Sequence, residues 1–145
     1  MTRAFCLGVT LLALAVGRAG AAVTLPAVLG EHMVVQRERP LHVWGRADAG
    51  ESVTARFRGE SRSTVADELG RFSLHLPPSA AGGPFTLTVS ASNTIRLDDV
   101  WVGDVWVAGG QSNMEWPLDA AEGGPAEIAG ADHPQIRFLR ATRVT

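Results

Sequence analysis

Ser52-Val53-Thr54-Ala55-Arg56-Phe57, turned at Arg58-Gly59-Glu60 and followed later by Arg71-Phe72-Ser73-Leu74-His75-Leu76, sets the fold class. The first run puts Val53, Ala55 and Phe57 on one side. The second puts Phe72, Leu74 and Leu76 on one side and Arg71, Ser73 and His75 on the other. A period of two belongs to a strand with one buried face, because successive side chains of an extended chain point to opposite faces. Between the two runs, Ser61 to Ala66 returns along the first, and Asp67-Glu68-Leu69-Gly70 has turn chemistry. Upstream, Leu41-His42-Val43-Trp44 alternates as far as Gly45, and Asp48-Ala49-Gly50-Glu51 is a turn. Downstream, Pro77-Pro78 stops a strand, Ala80-Ala81-Gly82-Gly83-Pro84 reads as a loop, and Phe85-Thr86-Leu87-Thr88-Val89 resumes. Ile95, Leu97 and Asp99 carry the period on. Short alternating strands with one apolar face each must pair as sheets to bury those faces, so residues 23–100 are expected to form a β-sandwich.

The pattern changes after Leu97. Val100-Trp101-Val102 and Val105-Trp106-Val107-Ala108 are nearly continuous apolar runs, the signature of strands covered on both faces. Pro117 suits a first helical turn. Pro125 to Ala129 suits a short helix ending near Gly130, and Gln135-Ile136-Arg137-Phe138-Leu139 suits another strand. Residues 101–145 therefore read as the opening β-α-β of an α/β domain. Such a domain typically needs ~100 residues or more, so this one is expected to be incomplete.

The chain has 145 residues, 46% of them hydrophobic and 19% charged, a composition that buries a core. The formal net charge is −2 with the signs interspersed, which argues against a nucleic-acid partner. Residues 1–21 read as a signal peptide. Arg3 precedes the apolar run Ala4 to Val16, and Ala19-Gly20-Ala21 or Gly20-Ala21-Ala22 offers a cleavage site. The run is too short for a stable membrane anchor, so an exported protein beginning near Ala22 or Val23 is expected. The single cysteine, Cys6, lies inside the run, leaving the mature chain without a disulfide or a thiol nucleophile.

One stretch carries chemistry: Gly109-Gly110-Gln111-Ser112-Asn113-Met114-Glu115-Trp116. A serine just past a buried strand lies at the edge where open α/β sheets place their sites. Glycines before it allow a sharp turn, and a following helix start would favour a developing oxyanion. Read alone, the same serine reads more simply as a turn residue capping a helix. Gly110 to Trp116 resembles the first signature block of the sialate O-acetylesterases, a branch of the SGNH (GDSL-like) hydrolases. Glu31-His32-Met33-Val34-Val35-Gln36-Arg37, Val43-Trp44-Gly45, Ala81-Gly82-Gly83-Pro84, Val102-Gly103-Asp104-Val105-Trp106 and Pro134-Gln135-Ile136-Arg137 are similar to other segments of that family. The likeness runs from about residue 25 to 140. Gly109 departs from it, since the family often has serine there.

The resemblance implies a β-domain joined to an SGNH hydrolase domain. It also implies a Ser-His-Asp acyl transfer that removes acetyl groups from O-acetylated sugars, with Ser112 as nucleophile and no cofactor. The Ser112 N–H would help to form the oxyanion hole, with a Gly and an Asn from later blocks. Gly110, Gln111 and Asn113 would support the loop or touch the acyl oxygen; local backbone bonding is an equally good role for Gln111 and Asn113. The family's base comes from a late Asp-x-x-His block. His32, His42, His75 and His133 are the only histidines, and none follows an aspartate at that spacing. The base and its aspartate are thus expected beyond Thr145, and the chain alone is expected to be inactive. No His/Asp/Glu grouping has metal-ligand spacing. Glu115 suits a helix start. Trp116 is expected to pack, as are Trp44, Trp101 and Trp106, at the core or a domain junction. A different class of function, a non-catalytic carbohydrate-binding or scaffolding sandwich, would rest on residues 23–100 alone.

Overall fold

A computed structural model describes residues 22–140, so the expected signal peptide, residues 1–21, lies outside the described residues. The architecture is mainly β. Seven strands follow in order: β1 (Val34–Gln36), β2 (Leu41–Arg46), β3 (Ser52–Phe57), β4 (Glu60–Val65), β5 (Arg71–Leu76), β6 (Gly82–Ser90) and β7 (Thr94–Gly103). Five form one sheet in the order β1-β7-β6-β3-β4; β2 and β5 pair separately. β1 runs parallel to β7, and the other pairs are antiparallel. β5 also packs against β3 and β4, so the ladders curl around one core.

That core follows the alternation. β3 contributes Val53, Ala55 and Phe57, β5 contributes Phe72, Leu74 and Leu76, and β6 contributes Leu87 and Val89. Val43 of β2 lies opposite Leu74, and Gly45 lies opposite Phe72. A side chain at Gly45 would meet the Thr24 carbonyl at 2.0 Å, because Thr24 exchanges backbone hydrogen bonds with Arg46 there.

The sequence expectation needs three corrections. Gly82 to Pro84 are not loop: they begin β6, with Gly82 paired to Val102. Glycine is required at 83 on two counts: its φ is 152°, a conformation that side chains disfavour, and a Cβ there would lie 2.6 Å from the Trp101 ring. Second, Asp99 does not extend the inward row of Ile95 and Leu97. Phe85 pairs with Val100 and Leu87 with Leu97, so β7 carries an extra residue at this point. Asp99 takes a positive φ of 56°, and Val100 and Val102 face the core instead. Such a bulge re-aims side chains. β7 thus continues through Val100-Trp101-Val102 into the β architecture, past the boundary expected at residue 100.

Third, Val105-Trp106-Val107-Ala108 forms no strand, and Val107 is 95% exposed. Gln135 to Leu139 forms none either, with Phe138 also 95% exposed. A strand buried on both faces needs neighbouring strands and covering helices, and among the described residues these runs have neither. The segment instead contains short 3₁₀ turns at Ser112–Glu115 and Leu118–Ala120, then the helix α1 (Gly124–Gly130). Pro117 precedes the second turn with an extended backbone rather than opening a helix, whereas Pro125 does sit in the first turn of α1.

Candidate active site

Ser112 opens the first 3₁₀ turn. Its N-cap, Gln111, provides no side-chain cap; its carbonyl accepts from the Met114 N–H at 2.9 Å. The Ser112 and Asn113 N–H groups fall outside this turn's own hydrogen bonding, as first-turn donors must. Gly110, Gln111, Ser112 and Asn113 are all exposed, so the structure brings the four candidate residues together on an accessible loop. The strand expected to deliver them is absent, and β7 has already ended at Gly103. Neither Gly109 nor Gly110 adopts a positive φ. Gly109 has open space around it, while a Cβ at Gly110 would press on Met114 Cγ at 2.5 Å. The neighbour is a flexible, exposed methionine side chain, so neither a positive φ nor fixed packing demands glycine at 110.

Among the described residues no side-chain hydrogen bond reaches the Ser112 hydroxyl, and none of the histidines is paired with it. His42 bonds Ser73 Oγ through Nε2 at 2.8 Å, and His32 bonds Asp99 through Nδ1 at 2.7 Å. No three His, Cys, Asp or Glu side chains among the described residues converge on a metal-sized point. The arrangement presents a hydroxyl and nearby N–H donors to solvent.

The segment is tied down by a polar cluster that strand patterns alone did not reveal. Asp99, turned outward by the bulge, accepts from Trp101 Nε1 at 2.8 Å and pairs with Arg137 Nη2 at 2.9 Å. Arg137 Nη1 donates to the carbonyls of Asp99 at 2.8 Å and His32 at 2.9 Å, and its guanidinium lies over the Trp101 ring. The His32 hydrogen bond, then those from Trp101 and Arg137, hold the Asp99 carboxyl at about 2 instead of the ordinary 3.8. Nearby, Arg37 pairs with Asp104 at 2.9 Å and Gln36 Oε1 accepts from the Val105 N–H at 2.8 Å. The family-like segments at 31–37, 102–106 and 134–137 thus meet in space. Their shared appearance in the sequence was the available signal.

Comparison with known proteins finds relatives by sequence and by structure. No family model matches the chain. Human sialate O-acetylesterase is 31% identical over 140 residues, 87% of this chain and 27% of the human protein. The mouse sialate O-acetylesterase is 33% identical over 139 residues, covering 87% of this chain and 26% of its own length. A carbohydrate acetylesterase from Xanthomonas citri has a similar structure, with a TM-score of 0.73 and 42% identity over 77% of this chain and 26% of that one. The chain therefore spans about a quarter of the length of these relatives. Across that span, by sequence and by structure, it belongs to the sialate O-acetylesterase family.

Proposed function

We propose that this chain forms part of an exported carbohydrate O-acetylesterase and supplies its nucleophile, Ser112. The supporting observation is the exposed Gly110-Gln111-Ser112-Asn113 turn in a chain related to acetylesterases over most of its length. Ser112 Oγ attacks the acetyl carbonyl carbon while a histidine base from outside residues 22–140 takes its proton. The carbon–oxygen bond to the sugar then breaks, the proton passes to the sugar oxygen, and acetyl-Ser112 remains. Water, deprotonated by the same base, attacks that ester; acetate leaves and the serine hydroxyl is restored. The Ser112 N–H stabilises the oxyanion in both steps, a donor of a kind worth roughly 10²–10³ in rate. Gly110, Gln111 and Asn113 hold the loop.

The test is a chimera in which residues 23–140 replace the matching part of the Xanthomonas citri acetylesterase. Acetate release should fall on the order of 10⁶-fold in kcat on Ser112→Ala, at an unchanged melting temperature, because triad members act as a unit. A loss below about tenfold would remove Ser112 from the nucleophile role, since a nucleophile cannot be that dispensable. Residues 23–145 alone should release acetate from an activated ester no faster than buffer.

A further inference from the structure

The outward face of β2 and β5 is unusual in composition. The register sets His42 opposite His75, Trp44 opposite Ser73 and Arg46 opposite Arg71. No acidic residue stands on this face. The rings form a stack: His42 lies 4.4 Å from His75 at 6° and 4.5 Å from Trp44 at 23°. His42 thus covers one face of the indole, and Trp44 ends the row. Beyond it lies a groove of about 490 Å³, walled on the far side by Thr24 to Pro26 and reaching Arg46 and Arg71.

Two arginines directly opposite each other on one sheet face repel, and such like-charge pairs are destabilising. They are only partly neutralised here. Asp67 takes the Arg71 Nε at 2.8 Å, and the Arg46 side chain has no hydrogen bond or ion pair among the described residues. Burial, and after it the charge of His75, lower the His42 pKa. An aromatic ring suits the apolar face of a sugar ring, and guanidinium forks suit a carboxylate. Trp44 and Arg46 are two residues apart on one strand, roughly 7 Å, which matches a pyranose with an exocyclic carboxylate.

We propose that this groove binds a pyranose bearing a carboxylate, with the sugar ring against Trp44 and the acid between Arg46 and Arg71. The proposal rests on the carbohydrate reading above for its ligand class, but not on catalysis. Binding is scored without turnover, so a failure of the Ser112 chemistry and a failure of this site are separately visible.

The full chain is titrated with the methyl glycoside of N-acetylneuraminic acid, with the same sugar as its methyl ester, and with sodium acetate. The readout is the indole N–H resonance of Trp44, assigned by its loss in Trp44→Phe. The acid should shift it saturably with a dissociation constant on the order of 1 mM. The ester should bind about fivefold or more weakly, having lost the charge-assisted hydrogen bonds, and acetate should leave Trp44 unmoved. Arg46→Gln, at an exposed position without a side-chain partner, should erase the difference between acid and ester. Trp44→Ala should weaken both. The proposal is overturned by an unshifted Trp44, by equal binding of acid and ester, by acetate reproducing the shift, or by an Arg46→Gln variant that still prefers the acid. Should Trp44→Ala unfold the chain, Arg46→Gln decides alone.

Discussion

Asp99 concentrates the contacts between the β architecture and the segment that carries Ser112, and its ionisation gives a direct measure of them. A carboxyl whose folded pKa lies below its unfolded value adds stability that is complete above the unfolded value and is lost as the pH falls through the folded one. For Asp99 that window runs from 3.8 down to about 2. Thermal melts of the wild-type chain and Asp99→Asn should therefore differ most at neutral pH, and the difference should shrink as the pH drops through this window. A gap that stays constant with pH would mean that the carboxylate's charge contributes nothing. Little of this was legible beforehand. The period of two placed Asp99 on the inward row, and only the extra residue in β7 turns it outward to meet His32, Trp101 and Arg137. Ser112 and its neighbours could be singled out in the sequence because their motif is contiguous. Arg137 was visible only as part of a resemblance, its partners lying far away in sequence.

Strands β3 and β5 match the alternation residue for residue, since each has one face on the core and one in solvent. The reading failed where a local signal depended on distant partners. Gly82-Gly83-Pro84 carries loop residues, yet the segment pairs with β7, and the Trp101 ring fills the space above Gly83. That contact yields a prediction. Gly83→Ala should cost about 1–3 kcal/mol in denaturant unfolding, as forced overpacking does. In a Trp101→Leu background the same change should cost less but not nothing, because the ring it strikes is gone while the strain of its 152° φ remains. Additive costs in the double variant would show that backbone conformation, and not Trp101, excludes alanine. The apolar run Val105 to Ala108 failed in the opposite sense. Continuous hydrophobicity states that a segment wants burial, without supplying the neighbours that would bury it.

Among the described residues, all seventeen buried hydrophobic residues lie between Val23 and Val102. The segment beyond Gly103 adds polar ties and exposed apolar side chains, Trp106 at 88% and Leu139 at 70% among them. Residues 22–103 should therefore fold cooperatively with a melting temperature only a few degrees below that of residues 22–145. The longer form should bind an apolar dye such as ANS more strongly and associate at lower concentration, since exposed apolar patches drive association. A shorter form that lacks a cooperative transition would place part of the folding energy beyond Gly103.

The parallel pairing of β1 with β7 also bears on the order of folding. His32–Asp99 and Arg37–Asp104 each join residues 67 apart, and Arg137 returns to His32 across 105. The hairpins β3–β4 and β6–β7 can close as soon as they are made, whereas β1 must wait for the last strand of its sheet and Arg137 must wait longer still. Loops of this length close at an entropic cost that must be met before their contacts return anything, which slows folding. During synthesis β1 is thus an early strand without a template, and the Arg137 contacts are the last step to form. Refolding followed at Trp101 should show a phase, slower than formation of the hairpins, that is lost in Arg137→Ala.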